Sequence, residues 1–336
     1  MGWSSPLVLG LMTAGGLLLV AFCVIETKVA QPMFRMGLFK IRAFAAGNTA
    51  GLLAAIARGG LQFMMIIWLQ GIWLPLHGFD YAETPLWAGI YLLPLTAGFL
   101  AAGPVSGYLS DRFGARLFST GGLVLTAAAF VGLMLLPVDF PYWAFALLIL
   151  LAGVSQGLFT SPNTSAIMSS VPARFRGAAS GMRATFLNAG MSLSIGIFFS
   201  LMIAGLAARL PRTLYTGLTA QGVPGSVAGQ VAHLPPVSTV FAAFLGINPI
   251  GHLLQPSGVL GKLPPHSAQM LTGKHFFPEL VSQPFHHGLL IVFSAAAIMA
   301  FVGAIASISR GSRYLHEGTG KTAGGASERA HQPAGR

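Results

Sequence analysis

The sequence predicts an all-α, polytopic membrane protein, and three observations carry that prediction. Apolar types make up 54% of the 336 residues and charged types only 8%, against about 25% charged in soluble domains. Apolar runs long enough to cross a bilayer recur along the chain. The basic residues are gathered into the short segments between those runs. With only nineteen basic and eight acidic side chains, the chain cannot coat the surface of a soluble protein of this length. The formal net charge of +11 is therefore read as membrane orientation and not as a nucleic-acid footprint.

A bilayer core of ~30 Å needs about 20 apolar residues in helix. Seven runs qualify: 7–26, 44–72, 86–108, 117–137, 142–163, 184–207 and 287–308. The first is too long for a signal-peptide core and has no basic segment before it. The second has length to spare for tilt. The division expected is 1–43 for a leading span and its loop, then 44–207 for five further spans. After these come a large extracytoplasmic loop over 208–286, a last span over 287–308 and a disordered basic tail over 309–336. The long loop is rich in Gly, Pro, Ser and His, and one or two short helices lying on the membrane surface are expected in it.

Lysine and arginine in the short loops set the orientation. Lys28, Arg35, Lys40 and Arg42 follow the first span, Arg112 and Arg116 the third, and Arg174, Arg176 and Arg183 the fifth. The tail adds Arg310, Arg313, Lys321, Arg329 and Arg336. The opposite short loops have none, and only Arg209 and Arg212 oppose the trend near a span. This places the N-terminus outside and the C-terminus inside. Seven spans with an outside N-terminus also describe a rhodopsin-like bundle, but no lysine stands in the seventh span to carry a retinal.

Between the third and fourth runs stands Gly107-x-Leu109-Ser110-Asp111-Arg112-x-Gly114-x-Arg116. Gly107 lets two helices approach and Gly114 permits a tight turn. Asp111 suits the positive end of a neighbouring helix, and the arginines suit carbonyl ends, carboxylates or lipid phosphates. An ordinary basic turn capped by Asp111 would show the same spacing.

This run resembles the conserved loop signature of the major facilitator superfamily. The resemblance extends through Leu38-Phe39-Lys40-Ile41-Arg42-Ala43-Phe44, Trp68-Leu69-Gln70, Trp87-Ala88-Gly89 and Leu93-Pro94. It goes on through Gly153-Val154-Ser155-Gln156-Gly157, Pro162 and Arg176-Gly177-Ala178-Ala179-Ser180-Gly181. In that order these are similar to the fourteen-span multidrug:proton antiporter branch. The resemblance implies a six-helix C-terminal bundle preceded by one leading helix, acting in the plasma membrane. It implies export of a hydrophobic or amphipathic small molecule by alternating access, with Gly107, Leu109, Asp111, Arg112, Gly114 and Arg116 as the conformational-switch loop. Such proteins have two bundles related by an axis along the membrane normal, with the loop signature in each. Here it occurs once, so an N-terminal six-helix half or a second copy is expected as partner. A membrane scaffold or regulator, or a self-dimerising half-transporter, are the alternative expectations.

Polar residues inside the runs are few. Arg58 is mid-span, where a charge costs at least ~2.5 kcal/mol. Gln62 and Asn48 are four and ten residues away and are expected on nearly one helical face with it. These three, with Gln70, Gln156 and Asn188, are the substrate-pathway candidates; interhelical hydrogen bonding is the plain alternative. The spans hold no carboxylate to carry a proton, so proton coupling is expected to use a group on the other half. The small-residue runs 97–107 and 177–196 suit close helix packing.

No enzyme and no cofactor or metal is expected. Gly153-Val154-Ser155-Gln156-Gly157 fits a nucleophile elbow only in spacing, because no strand precedes it. Gly320-Lys321-Thr322 lacks the first glycine of a phosphate loop, that position being Leu315. His286 and His287 point apart on a helix, and Cys23 is the only cysteine, so no metal pair and no disulfide forms. Asn163-Thr164-Ser165 matches a glycosylation sequon but falls at the inner face.

Overall fold

The computed structural model describes residues 5–29, 32–233, 235–245 and 248–310. The tail from 311 onward, with Arg313, Lys321, Arg329 and Arg336, lies outside the described residues. Seven helices are long and apolar enough to span a membrane: Pro6–Lys28, Arg42–Leu76, Thr84–Phe113, Ala115–Met134, Tyr142–Ser169, Ala173–Ala220 and Phe276–Ile308. They are called spans 1 to 7. Each falls on one of the seven apolar runs, the fourth ending three residues short of its run at Met134, and the described residues contain no strand. The chain is an all-α, multi-pass membrane protein.

Spans 2 to 7 form the bundle. Span 5 packs on 3, 4 and 2; span 2 packs on 6; span 7 packs on 4, 2 and 6. The result is a front row in the order 6–2–5–3, backed by 7 and 4. Span 1 buries none of its residues. Its far end is tied to the bundle where Glu26 accepts the Phe34 N–H at 3.1 Å and Phe22 meets Phe34 edge-on.

Small residues set these spacings. A Cβ on Gly153 would stand 2.0 Å from the Leu95 carbonyl oxygen, and one on Gly98 would stand 2.5 Å from that of Leu150. Spans 3 and 5 therefore meet backbone to backbone. Gly59 and Gly60 admit Ser194 and Phe198 of span 6, and Gly205 faces Gly288 where spans 6 and 7 cross. The expectation for 97–107 is realised at Gly98 and Gly107. In 177–196 only Gly190 is a close contact; Gly177, Gly181 and Gly196 face open space.

The segment 208–286 differs from the loop expected. Span 6 runs unbroken from Arg176 to Ala220, 45 residues, or ~67 Å at 1.5 Å per residue. That is about twice the bilayer core. Its Leu206, Leu210, Leu214 and Leu218 recur every fourth residue and are all buried. They pack with the Phe277, Val281 and Phe285 stripe of span 7 in one apolar cluster. The short helices Gly225–Ala232, Ile250–Leu254 and Pro265–Thr272 add Ala228, Val231, Leu254 and Leu271 to the same cluster. Asn248 fastens them, donating to the Leu271 and Gly273 carbonyls at 2.8 Å each and accepting from the Ile250 N–H. The described part of the segment is a cap packed on the extended ends of spans 6 and 7, with the short helices expected in it. Composition hid this, because Gly and Pro break the apolar pattern into pieces too short to read.

Candidate functional site

The loop between spans 3 and 4 is compressed to one residue. Span 3 ends at Phe113 and span 4 begins at Ala115, with Gly114 between them at φ +95°. Its N–H donates to the Ser110 carbonyl at 2.8 Å, and an L side chain there would be strained. Gly107 faces span 5, where a Cβ would stand 3.0 Å from the Ser161 hydroxyl. Arg112 lies beside the Phe113 ring, Leu109 is half-buried, and Asp111 and Arg116 are exposed at this motif end of the bundle.

Of the pathway candidates, the structure brings Arg58 and Gln62 together on the exposed side of span 2. The Arg58 guanidinium carbon is 5.5 Å from the centre of the Phe99 ring on span 3, within cation–π range. Gln62 borders a pocket of about 360 Å³ with Gly59, Phe63 and Ile66 of span 2 and Met191 and Ile195 of span 6. Asn188 is exposed on span 6, and Gln156 is half-buried on span 5. Gln70 is half-buried in the single π-turn Leu69–Trp73 that interrupts span 2.

Asn48 does not join them. It is 1% exposed, donates to the Phe44 carbonyl at 2.9 Å, and leaves its own side-chain oxygen unpartnered. Ten residues at ~100° each leave it about 80° away from Arg58 around the helix, and that offset turns it inward.

Asn48 instead neighbours a polar knot that spacing did not reveal. Asn163 of span 5 donates to the Gly47 carbonyl at 3.2 Å and accepts from Arg310. Arg310 is 6% exposed, its Nε and Nη1 have no partner among the described residues, and burial brings its guanidinium down to about 10. Arg310 was expected as a tail charge. Its place three residues after Ser307 and seven after Gly303, both buried, was the available signal. Arg183 was also missed: it lies inside span 6, half-buried, with no partner for its Nε among the described residues. Phe99 had no sequence signal, because only packing brings it to Arg58.

At the opposite, aromatic end, Trp68, Trp73, Phe140 and Phe145 interlock, and the Trp73 indole N–H donates to the Phe140 carbonyl at 3.2 Å. His77 pairs with Asp139 at 3.3 Å and Lys274 with Asp80 at 3.5 Å. Tyr81, lining a pocket with Asp80 and Lys274, is half-buried, and desolvation pushes its phenol up to about 12. His286 stands beside Trp68, half-buried, with its Nδ1 buried and without a partner among the described residues. Among the described residues no cluster could hold a metal ion.

Among the described residues the bundle has two layers, with Arg58 exposed on the front row and a single-glycine turn at the motif end. The chain belongs to the Major Facilitator Superfamily, whose sequence model matches residues 1–195. It is 26% identical over 309 residues to the tetracenomycin C resistance and export protein of Streptomyces glaucescens, covering 91% of this chain and 51% of that one. It is 32% identical over 214 residues to the methyl viologen resistance protein SmvA of Salmonella typhimurium, covering 63% and 41%. A methylenomycin A resistance protein of Bacillus subtilis is 29% identical over 221 residues, covering 64% and 44%. The chain spans about half the length of the curated relatives it matches.

Proposed function

We propose that this chain supplies the C-terminal bundle of a fourteen-span drug exporter that works by proton antiport and alternating access. The observation that carries the reading is the front row 6–2–5–3. Four helices side by side leave a face that nothing in the described residues covers, and Arg58, Gln62 and Asn188 are exposed on those helices. Two such faces enclose a pathway when bundles pair about an axis along the membrane normal. The partner is a further six-helix half or a second copy of this chain. Its cargo is a hydrophobic or amphipathic small molecule, in keeping with relatives named for antibiotic resistance and export.

In this reading the motif end is cytoplasmic and the cap is outside. The Gly114 hinge lets spans 3 and 4 move as a unit, and Asp111 latches the inner end against the partner bundle. The described carboxylates within the spans, Glu26, Asp111 and Glu279, all stand within three residues of a helix end, so in this reading the proton-carrying group belongs to the partner half.

Inverted membrane vesicles with an internal pH dye test the proposal. Vesicles holding this chain with an N-terminal six-helix half from the same branch should move protons when tetracenomycin C, the compound that one relative is named for exporting, is added; vesicles with this chain alone should not. Substrate-driven proton movement by the chain alone, with no self-dimer detected by cross-linking, would overturn it.

A further inference from the structure

We propose that Arg58 is the recognition group for a hydrophobic organic anion on the open face, with Phe99 and Gln62 completing the site. The inference rests on the transporter reading and adds the charge class of its cargo. Arg58 lies sixteen residues from the start of span 2 and eighteen from its end, about 24 Å or more from either. A side chain of its length cannot reach water beyond the bilayer core from there. The charge is therefore held at depth, facing whatever occupies the open face.

None of the described carboxylates shares that depth. Glu26 ends span 1, Asp80, Glu83 and Asp139 lie at the aromatic end, Glu279 is in the cap, and Asp111 is at the motif end. Asp111 is twelve residues along span 3 from Phe99, or ~18 Å. The Phe99 ring lies 5.5 Å from the guanidinium carbon, and as a neutral group it offers the N–H donors only a weak contact and no full negative charge. Those donors are matched by a carboxylate, sulfonate or phenolate oxygen. One turn further along, Gln62 leads into the pocket walled by Phe63, Ile66, Met191 and Ile195. At about 360 Å³ it suits the apolar body of a small ligand. An anionic head at Arg58 and an apolar body in that pocket use both features at once. A cation would meet the opposite charge pattern.

Tetraphenylborate and tetraphenylphosphonium test this, being matched in size and shape and opposite in charge. Each is titrated by equilibrium dialysis against the full chain in neutral detergent micelles, beside Arg58→Gln, Arg58→Lys and Phe99→Leu. Partition into the micelle is common to all variants, so differences between variants report the site. The borate should bind wild type at least about tenfold more tightly than Arg58→Gln, the size expected of one charge-assisted contact. Arg58→Lys should retain most of that preference, Phe99→Leu should weaken the borate severalfold, and the phosphonium should be indifferent or gain when Arg58 is lost. Equal borate affinity in wild type and Arg58→Gln overturns the proposal. So does loss of borate binding when a second bundle is added, which would assign Arg58 to a partner carboxylate. Either result leaves the vesicle assay unaffected, so export with no charge preference refutes the anion site and keeps the transporter.

Discussion

At the scale of single residues, the structure depends on polar groups that have one partner and little room. Asn163 bridges Gly47 and Arg310. Asn163→Ala would remove the acceptor that the described residues give the buried Arg310, at a cost of about 1–3 kcal/mol. Thermal unfolding in detergent should show a clear drop in Tm, and Asn163→Asp should recover most of it by giving the cation a carboxylate. An unchanged Tm for Asn163→Ala would mean that water serves Arg310 equally well. Tyr81 makes a pH-dependent contribution. Its folded value of about 12 lies above the ordinary 10, so its contribution is whole below pH 10 and is lost as pH rises toward 12. Wild type should lose thermal stability between pH 9 and 11 more steeply than Tyr81→Phe; parallel curves would show the phenol to be solvated.

At the scale of elements, two contacts decide the architecture. Spans 3 and 5 touch through Gly153 and Gly98, with the nearest backbone atoms 2.0 and 2.5 Å from where a Cβ would stand. Gly153→Leu must push the helices apart, and overpacking of this kind costs about 1–3 kcal/mol or more. Membrane yield should survive, because each span stays apolar, while Tm falls and cysteine cross-links between the two spans fail. The second contact is the extension of spans 6 and 7 into the cap. Leu214 is fully buried beyond the apolar run that predicts span 6. Leu214→Ala should cost about 2–5 kcal/mol and open the cap first, seen as faster hydrogen exchange in 221–275 with spans 3 to 5 still protected. Uniform acceleration across the bundle would show instead that cap and bundle unfold as one.

At the scale of the whole molecule, hydrophobic length and basic loops revealed the seven spans, and the Gly107–Arg116 run revealed the family. Those signals are local: one apolar run makes one span, and one glycine makes one turn. The cap, the Arg310 knot and the Arg58–Phe99 contact were hidden, because each depends on residues 40 to 150 positions apart brought together by packing. The misplacement of Asn48 was a legible error, since the helical angle already turned it away. The central claim is that the front row faces a pathway and not lipid. With Cys23→Ser as background, Gln62→Cys on the front and Val124→Cys on the exposed back of span 4 should be treated with a water-soluble maleimide in the host membrane. The account predicts fast labelling at Gln62→Cys, slowed by substrate, and almost none at Val124→Cys. Equally slow labelling at both positions would mean that lipid covers the front row, and would contradict it.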